Sequence, residues 1–233
     1  MFPLKDDIPS RHFPLVNLWL IIVNILCFVY ELNLGRELDS FIIAHGFVSA
    51  RFAAAQAGNT ISLASYLPVF SAMFLHAGLL HVFSNLWMLW VFGNNVEDRM
   101  GHGRYLLFYL LCGVGAAFAQ FWANPQAQAP MIGASGAISG VLGAYFLLYP
   151  RARILTFVPI FILFYLVEIP AYFFIGFWFL MQFMQGAAQQ IAVGGSVEGG
   201  VAWWAHVGGF VTGVILLYFF KRGTEKRAGQ VGM

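Results

Sequence analysis

Residues 129–153 read APMIGASGAISGVLGAYFLLYPRAR. A hydroxyl, Ser135, set among glycines, opens an apolar run that closes at Pro150 and the basic pair Arg151 and Arg153. From Ser135 to Pro150 is about 15 residues, roughly 22 Å of helix, several ångströms short of the about 30 Å of hydrocarbon in a bilayer. Ser135 is therefore expected below the outer surface, within the membrane. Non-helical backbone at that depth is tolerated only where protein covers it or water reaches it, so the connection NPQAQAPMIGA (124–134) must dip into a cavity.

That a membrane is the setting follows from composition. Of 233 residues, 60% are hydrophobic and 9% charged, too few to cover a water-soluble globule, and mean hydropathy is +0.76. Apolar runs near 15–32, 80–96, 104–123, 135–149, 166–185 and 202–220 predict an all-α membrane protein with six spans. Lys5, Arg11, Arg99, Arg104, Arg151, Arg153, Lys221, Arg222, Lys226 and Arg227 then share one face, and only Arg36 and Arg51 lie on the other. The positive-inside rule makes the first face cytoplasmic and puts both termini there. The run Ile154–Met184 is too long for one simple span and contains Pro159 and Pro170, so its first third is expected at the interface or as a kinked approach to the helix. Residues 33–79 form an external connection long enough to be a structured loop.

Basic residues scattered between apolar runs exclude a nucleic-acid surface. Cys27 and Cys112 lie inside apolar runs and read as packing residues. The polar start, MFPLKDDIPSRHFP, lacks the pattern of a cleaved signal peptide. No HExxH or suitably placed carboxylate accompanies the histidines, so no metal or other cofactor is expected.

Measured from their own cytoplasmic ends, other polar residues reach the depth of Ser135. His206 precedes Lys221 by about 15 residues, roughly 22 Å. His81 and Asn85 precede Asp98 by about 17 and 13 residues, roughly 25 and 20 Å. His81 and Asn85, at i and i+4, project from one helix face. His206, Gly209 and Gly213 share a face of the last helix, and Gly136, Gly140 and Gly143 form a similar small-residue stripe, so close helix approach is expected there.

Alone, GASG is ordinary helix-packing glue, and a lone intramembrane histidine is an interhelical donor. Joined at one depth, Ser135 and His206 supply nucleophile and general base, with His81 and Asn85 as oxyanion donors. Ser135 also stands at a helix N-terminus, where free N–H groups and the dipole favour developing negative charge. Glu97 and Asp98 fall at the cytoplasmic end. Glu168, before Pro170, reads as an interfacial hydrogen-bonding residue, which leaves a dyad without a carboxylate third member. His76 reads as a rigidifier of the external loop, and His12, His45 and His102 as solvated or structural.

These residues resemble the rhomboid family of intramembrane serine proteases. HAGLLHVFSN carries the family's His, His, Asn pattern at His76, His81 and Asn85; GASGAISG its GxSG serine at Ser135; AHVGGFVTG its histidine at His206. FGNNVEDRMG and IPAYFFIGFWFLMQ extend the likeness over nearly the whole chain. The resemblance implies a six-helix bundle with a water-filled cavity open to the outer side. It also implies Ser135 as nucleophile, His206 as base, and an oxyanion hole from His81, Asn85 and the Ser135 backbone N–H. Gly133, Gly136, Gly209 and Gly213 would serve as structural support. Some bacterial members carry a Trp-Arg pair in the first external loop, which SYLPVFSAMF lacks.

The expected organisation is a cytoplasmic tail (1–12), a membrane domain (13–221) and a basic cytoplasmic tail (222–233), in a cell inner membrane. The expected partners are transmembrane-helix substrates and the bilayer, with access past the fifth helix and QGAAQQIAVGGSVEGG (185–200) as a mobile cover. Two other readings are a catalytically inactive relative that binds or escorts membrane helices, and a small transporter. The retained Ser135, His206, His81 and Asn85 weigh against the first, and the lack of paired intramembrane charges and of a repeat against the second.

Overall fold

The computed structural model describes residues 1–160, 162–193 and 200–221. The chain is mostly helical, as the apolar runs predict. Helix α1, Leu15–Asn33, starts directly after Pro14. The connection expected to be external is structured, with α2 at Leu38–His45, α3 at Ser49–Ala57 and α4 at Leu67–Ser71, and 3-10 turns at Gly35–Glu37, Leu63–Tyr66 and Ala72–Phe74. It is held down by its own small core, in which Phe47, Phe52 and Val69 pack against Ala117 and Phe121. Then follow α5, Leu79–Met100, and α6, His102–Ala123, linked through Gly101, whose φ of 79° suits glycine. The last three helices are α7, Ser135–Leu148, α8, Ala171–Val193, and α9, Trp203–Phe220.

Helices α1, α6 and α9 are long and apolar enough to cross a membrane. Residues Leu63–Phe74 and α5 make a fourth candidate, bent by 85°, and α7 is a shorter apolar helix. The protein is thus a multi-pass membrane protein.

The fifth expected span needs correction. Residues 166–170 are not helical: Arg153–Ile160 (β2) and Leu163–Pro170 (β3) form an antiparallel hairpin, and α8 begins only at Ala171 and runs to Val193. Phe2–Asp6 (β1), within the segment expected as a tail, pairs antiparallel with β2 to give a sheet of order β1-β2-β3. Residues 166–170 read as the start of the span because Leu163, Phe164, Tyr165, Leu166 and Val167 are apolar on both faces of β3 and all exposed, which erases the period-two alternation of a half-buried strand. Pro170 ends the strand, and the helix starts at the next residue, where a preceding proline does no harm. In the expected mobile cover, residues 185–193 are the last turns of α8 and 194–199 lie outside the described residues, as does the expected tail 222–233.

Around the centre, α6, α7 and α9 approach closely through small side chains. A Cβ on Gly136 would stand 2.6 Å from the Ala116 Cβ, and one on Gly140 2.3 Å from the Cys112 sulfur. Below this layer Phe92, Tyr105, Phe108, Tyr109 and Tyr145 are fully buried. Helices α1 and α5 are pinned at both ends. The Glu97 carboxylate of α5 accepts the Val16 and Asn17 backbone N–H groups, at 2.9 and 2.7 Å, capping α1. The Glu31 carboxylate of α1 accepts the His76 N–H at 3.2 Å, just before α5.

Candidate active site

Ser135 is the first residue of α7, so its N–H and those of Gly136 and Ala137 point out of the helix end without intrahelical partners. Its side chain meets His206, from the first turn of α9, with Nε2 and Oγ 2.8 Å apart. Level with this pair, His81 and Asn85 project from the first two turns of α5. The structure therefore brings together all four polar residues that depth counting placed at one level.

Gly133 explains how the connection reaches the helix end. Its φ of +117° is a conformation that L side chains rarely adopt. A Cβ there would also stand 2.7 Å from His81 Nε2 and 3.6 Å from Asn85 Nδ2. Its N–H is held by the Ala72 carbonyl at 2.8 Å, which ties the connection to the external loop. The His81 ring accepts the Ala77 N–H at Nδ1, 3.3 Å, so Nε2 carries its proton toward Gly133. Asn85 Nδ2 is buried with no hydrogen-bond partner. Two side-chain donors thus converge beside the serine with nothing yet to donate to, the arrangement an oxyanion would satisfy.

A cavity of about 690 Å³ covers this region, lined among others by Met73, His81, Asn85, Gly133, Ser135 and His206. It is the cavity that the non-helical 124–134 connection required. Trp178 of α8 and Trp203 of α9 flank the His206 ring, each with centroids 6.1 Å away.

His76 is 2% exposed, and its ring lies 5.1 Å from that of His81, edge on. Its place is between the external loop and α5, where Glu31 holds its backbone. Gly209 and Gly213 do not touch the reacting groups; they lie against Gly136 and Gly140 of α7. Glu168 sits on exposed β3, paired with Arg153 at 3.0 Å, at the opposite end of α7 from Ser135. His12 and His102 pair with Asp98 and Glu97, and His45 with the Phe41 carbonyl. Among the described residues, no group of three or more His, Cys, Asp or Glu side chains is arranged to hold a metal.

One residue escaped the sequence reading. Gln182 of α8 is 8% exposed, and its Oε1 lies 2.7 Å from His206 Nδ1. The expected span 166–185 put it near a helix end, where a glutamine is unremarkable; with α8 at 171–193 it stands mid-helix. Gln182 is the first of four glutamines on α8, with Gln185, Gln189 and Gln190, and an amide that far inside an apolar helix is the signal that could have found it.

The Rhomboid domain family model matches residues 64–223. Curated relatives include "Rhomboid protein 1, mitochondrial" of Saccharomyces cerevisiae, 27% identical over 167 residues, covering 70% of this chain and 44% of the yeast protein. "Rhomboid protease GluP" of Bacillus subtilis is 33% identical over 120 residues, 52% of this chain and 22% of that protein. "Rhomboid-like protein 11, chloroplastic" of Arabidopsis thaliana is 29% identical over 157 residues, 65% of this chain and 51% of the plant protein. The chain thus spans about half or less of the length of each of these relatives.

Proposed function

Since the chain belongs to the rhomboid family, whose members act within the membrane on transmembrane substrates, we propose that it is a serine endopeptidase that cleaves transmembrane segments with a Ser135–His206 dyad. The observation that carries this reading is the 2.8 Å contact between His206 Nε2 and Ser135 Oγ inside a cavity. Nε2 takes the hydroxyl proton as Oγ bonds to the scissile carbonyl carbon, and the carbonyl π pair moves onto oxygen. That oxyanion accepts from His81 Nε2, Asn85 Nδ2 and the Ser135 N–H. The imidazolium then gives its proton to the leaving nitrogen as the C–N bond breaks. Water, deprotonated at the same nitrogen, hydrolyses the acyl-enzyme.

A helical peptide bond is sheltered by its own hydrogen bonds, so small or helix-breaking residues at the cleavage point favour reaction by lowering the cost of unwinding. The charge distribution supports both termini on the cytoplasmic side and the cavity facing outward, in a membrane we take to be the inner plasma membrane. Counting α1, α5, α6, α7, α8 and α9 gives the six spans of residues 13–221, with 1–12 and 222–233 as flanking segments.

The test is cleavage of a fluorogenic transmembrane-substrate library in proteoliposomes by wild type, Ser135→Ala and His206→Ala. Cleavage that vanishes in both variants supports the reading. Equal cleavage by all three identifies a contaminant. A folded wild type that neither cleaves nor is labelled by a serine-directed fluorophosphonate points instead to a protein that binds or escorts membrane helices.

A further inference from the structure

An imidazole has two nitrogens, and in the neutral ring only one can accept. For His206 to take the Ser135 proton at Nε2, the ring hydrogen must sit on Nδ1, so whatever faces Nδ1 decides whether the base is correctly made. The residue in that place is Gln182, whose side-chain oxygen is 2.7 Å away. An amide oxygen can only accept, so it selects the tautomer with a lone pair at Nε2 and holds the ring plane toward Ser135.

We propose that Gln182 is a positioning residue, the neutral third member of a Ser135–His206–Gln182 relay. The inference rests on the proteolytic reading above and adds an orienting residue to its dyad. A carboxylate would orient the ring equally well, but a charge within the membrane is costly to insert. The amide orients without bringing a charge. The imidazolium formed during reaction is then balanced by the oxyanion across the site instead of by a buried acid. The relay also makes the base a shared property of two helices: α9 supplies the ring and α8 its aim. Trp178, one turn before Gln182 on the same helix, flanks the ring and limits its rotation.

The alternative is that Gln182 only bridges α8 and α9 as an interhelical hydrogen bond, a modest packing contribution in membrane proteins. Three variants separate the two. Gln182→Leu keeps the bulk and removes the acceptor, Gln182→Asn shortens the reach, and Gln182→Glu restores an acceptor with a charge. A relay requires Gln182→Leu to lower kcat on the order of 10–100-fold with KM little changed. Gln182→Glu should recover part of kcat and move the acidic limb of its pH profile to higher pH, because a carboxylate at Nδ1 favours the protonated ring. Among the described residues lining the cavity, His81 is the titratable group facing His206, and both variants share it, so the difference between their profiles isolates the residue at 182.

A second readout needs no turnover. In Ser135→Ala protein labelled with 15N-histidine, the His206 ring, assigned by loss of its signals in His206→Asn, should be the Nδ1–H tautomer, and Gln182→Leu should shift it toward a mixture. Wild-type kcat and an unmoved pH limb in Gln182→Leu and Gln182→Glu overturn the relay while leaving the protease reading intact. If wild type itself does not cleave, the protease reading fails, and an unchanged tautomer in Gln182→Leu overturns the relay independently.

Discussion

A Cβ on Gly213 of α9 would stand 2.1 Å from the carbonyl oxygen of Gly140 of α7. One turn away, a Cβ on Gly209 would stand 2.0 Å from the Gly136 oxygen. The obstructing atoms are backbone, which no rotamer change can move, so the two helices carrying Ser135 and His206 touch main chain to main chain. Gly213→Ala should separate them, costing on the order of 1–3 kcal/mol of overpacking strain. Reduced thermal stability together with reduced activity is expected; an unchanged melting temperature would mean that the helices are not locked together here.

Asn85→Ala tests the oxyanion site. Its unpartnered amide N–H has no structural bond to lose, so stability should hold while kcat falls about 10²–10³-fold at little change in KM. A fall in stability with kcat preserved would assign Asn85 to packing.

Gly133→Ala combines two faults, a φ of +117° and a methyl within 2.7 Å of His81 Nε2. The conformational strain alone is about 1–3 kcal/mol. Because strain and clash both fall beside Ser135, fluorophosphonate labelling of the serine should slow more than global stability drops, and labelling at the wild-type rate would contradict this placement.

Glu97→Ala removes the acceptor of two α1 N–H groups far from the cavity. Loss of a helix cap costs about 1–2 kcal/mol, so unfolding should become easier while KM of the surviving folded protein is unchanged.

Asp6 carries the pH dependence. Burial pushes its carboxyl above the usual 3.8, against the opposing hydrogen bonds from Tyr145 and Asn95. A group raised on folding contributes stability that is complete below its unfolded value and is lost as pH rises through its folded value. Asp6→Asn keeps an acceptor without ionising. Wild type should therefore lose stability relative to Asp6→Asn as pH climbs from below 3.8 toward neutrality, measured as the difference in melting temperature; a constant difference would refute it.

How much of this was legible depends on which interactions leave a periodic trace. Apolar length alone located α1, α5, α6, α7 and α9 to within a few residues, because the bilayer imposes a minimum run. Depth from the cytoplasmic end aligned Ser135, His206, His81 and Asn85, because a helix converts residue count into distance. The hairpin was hidden by its own composition, apolar on both faces, and its misreading displaced α8 and with it Gln182. Glu97 was read only as lying at the cytoplasmic end, because its partners, Val16 and Asn17, are 81 and 80 residues away in sequence, beyond any local pattern.

The strand Phe2–Asp6 precedes α1 in sequence, yet Phe2 pairs with Phe157 and Asp6 with Ile154. During biosynthesis it has no partner until α1, α5, α6 and α7 have all been made. Pairing then joins this strand to the hairpin that leads directly into α8. The sheet therefore closes only after the intervening helices exist, a clasp between segments that lie on either side of them in sequence.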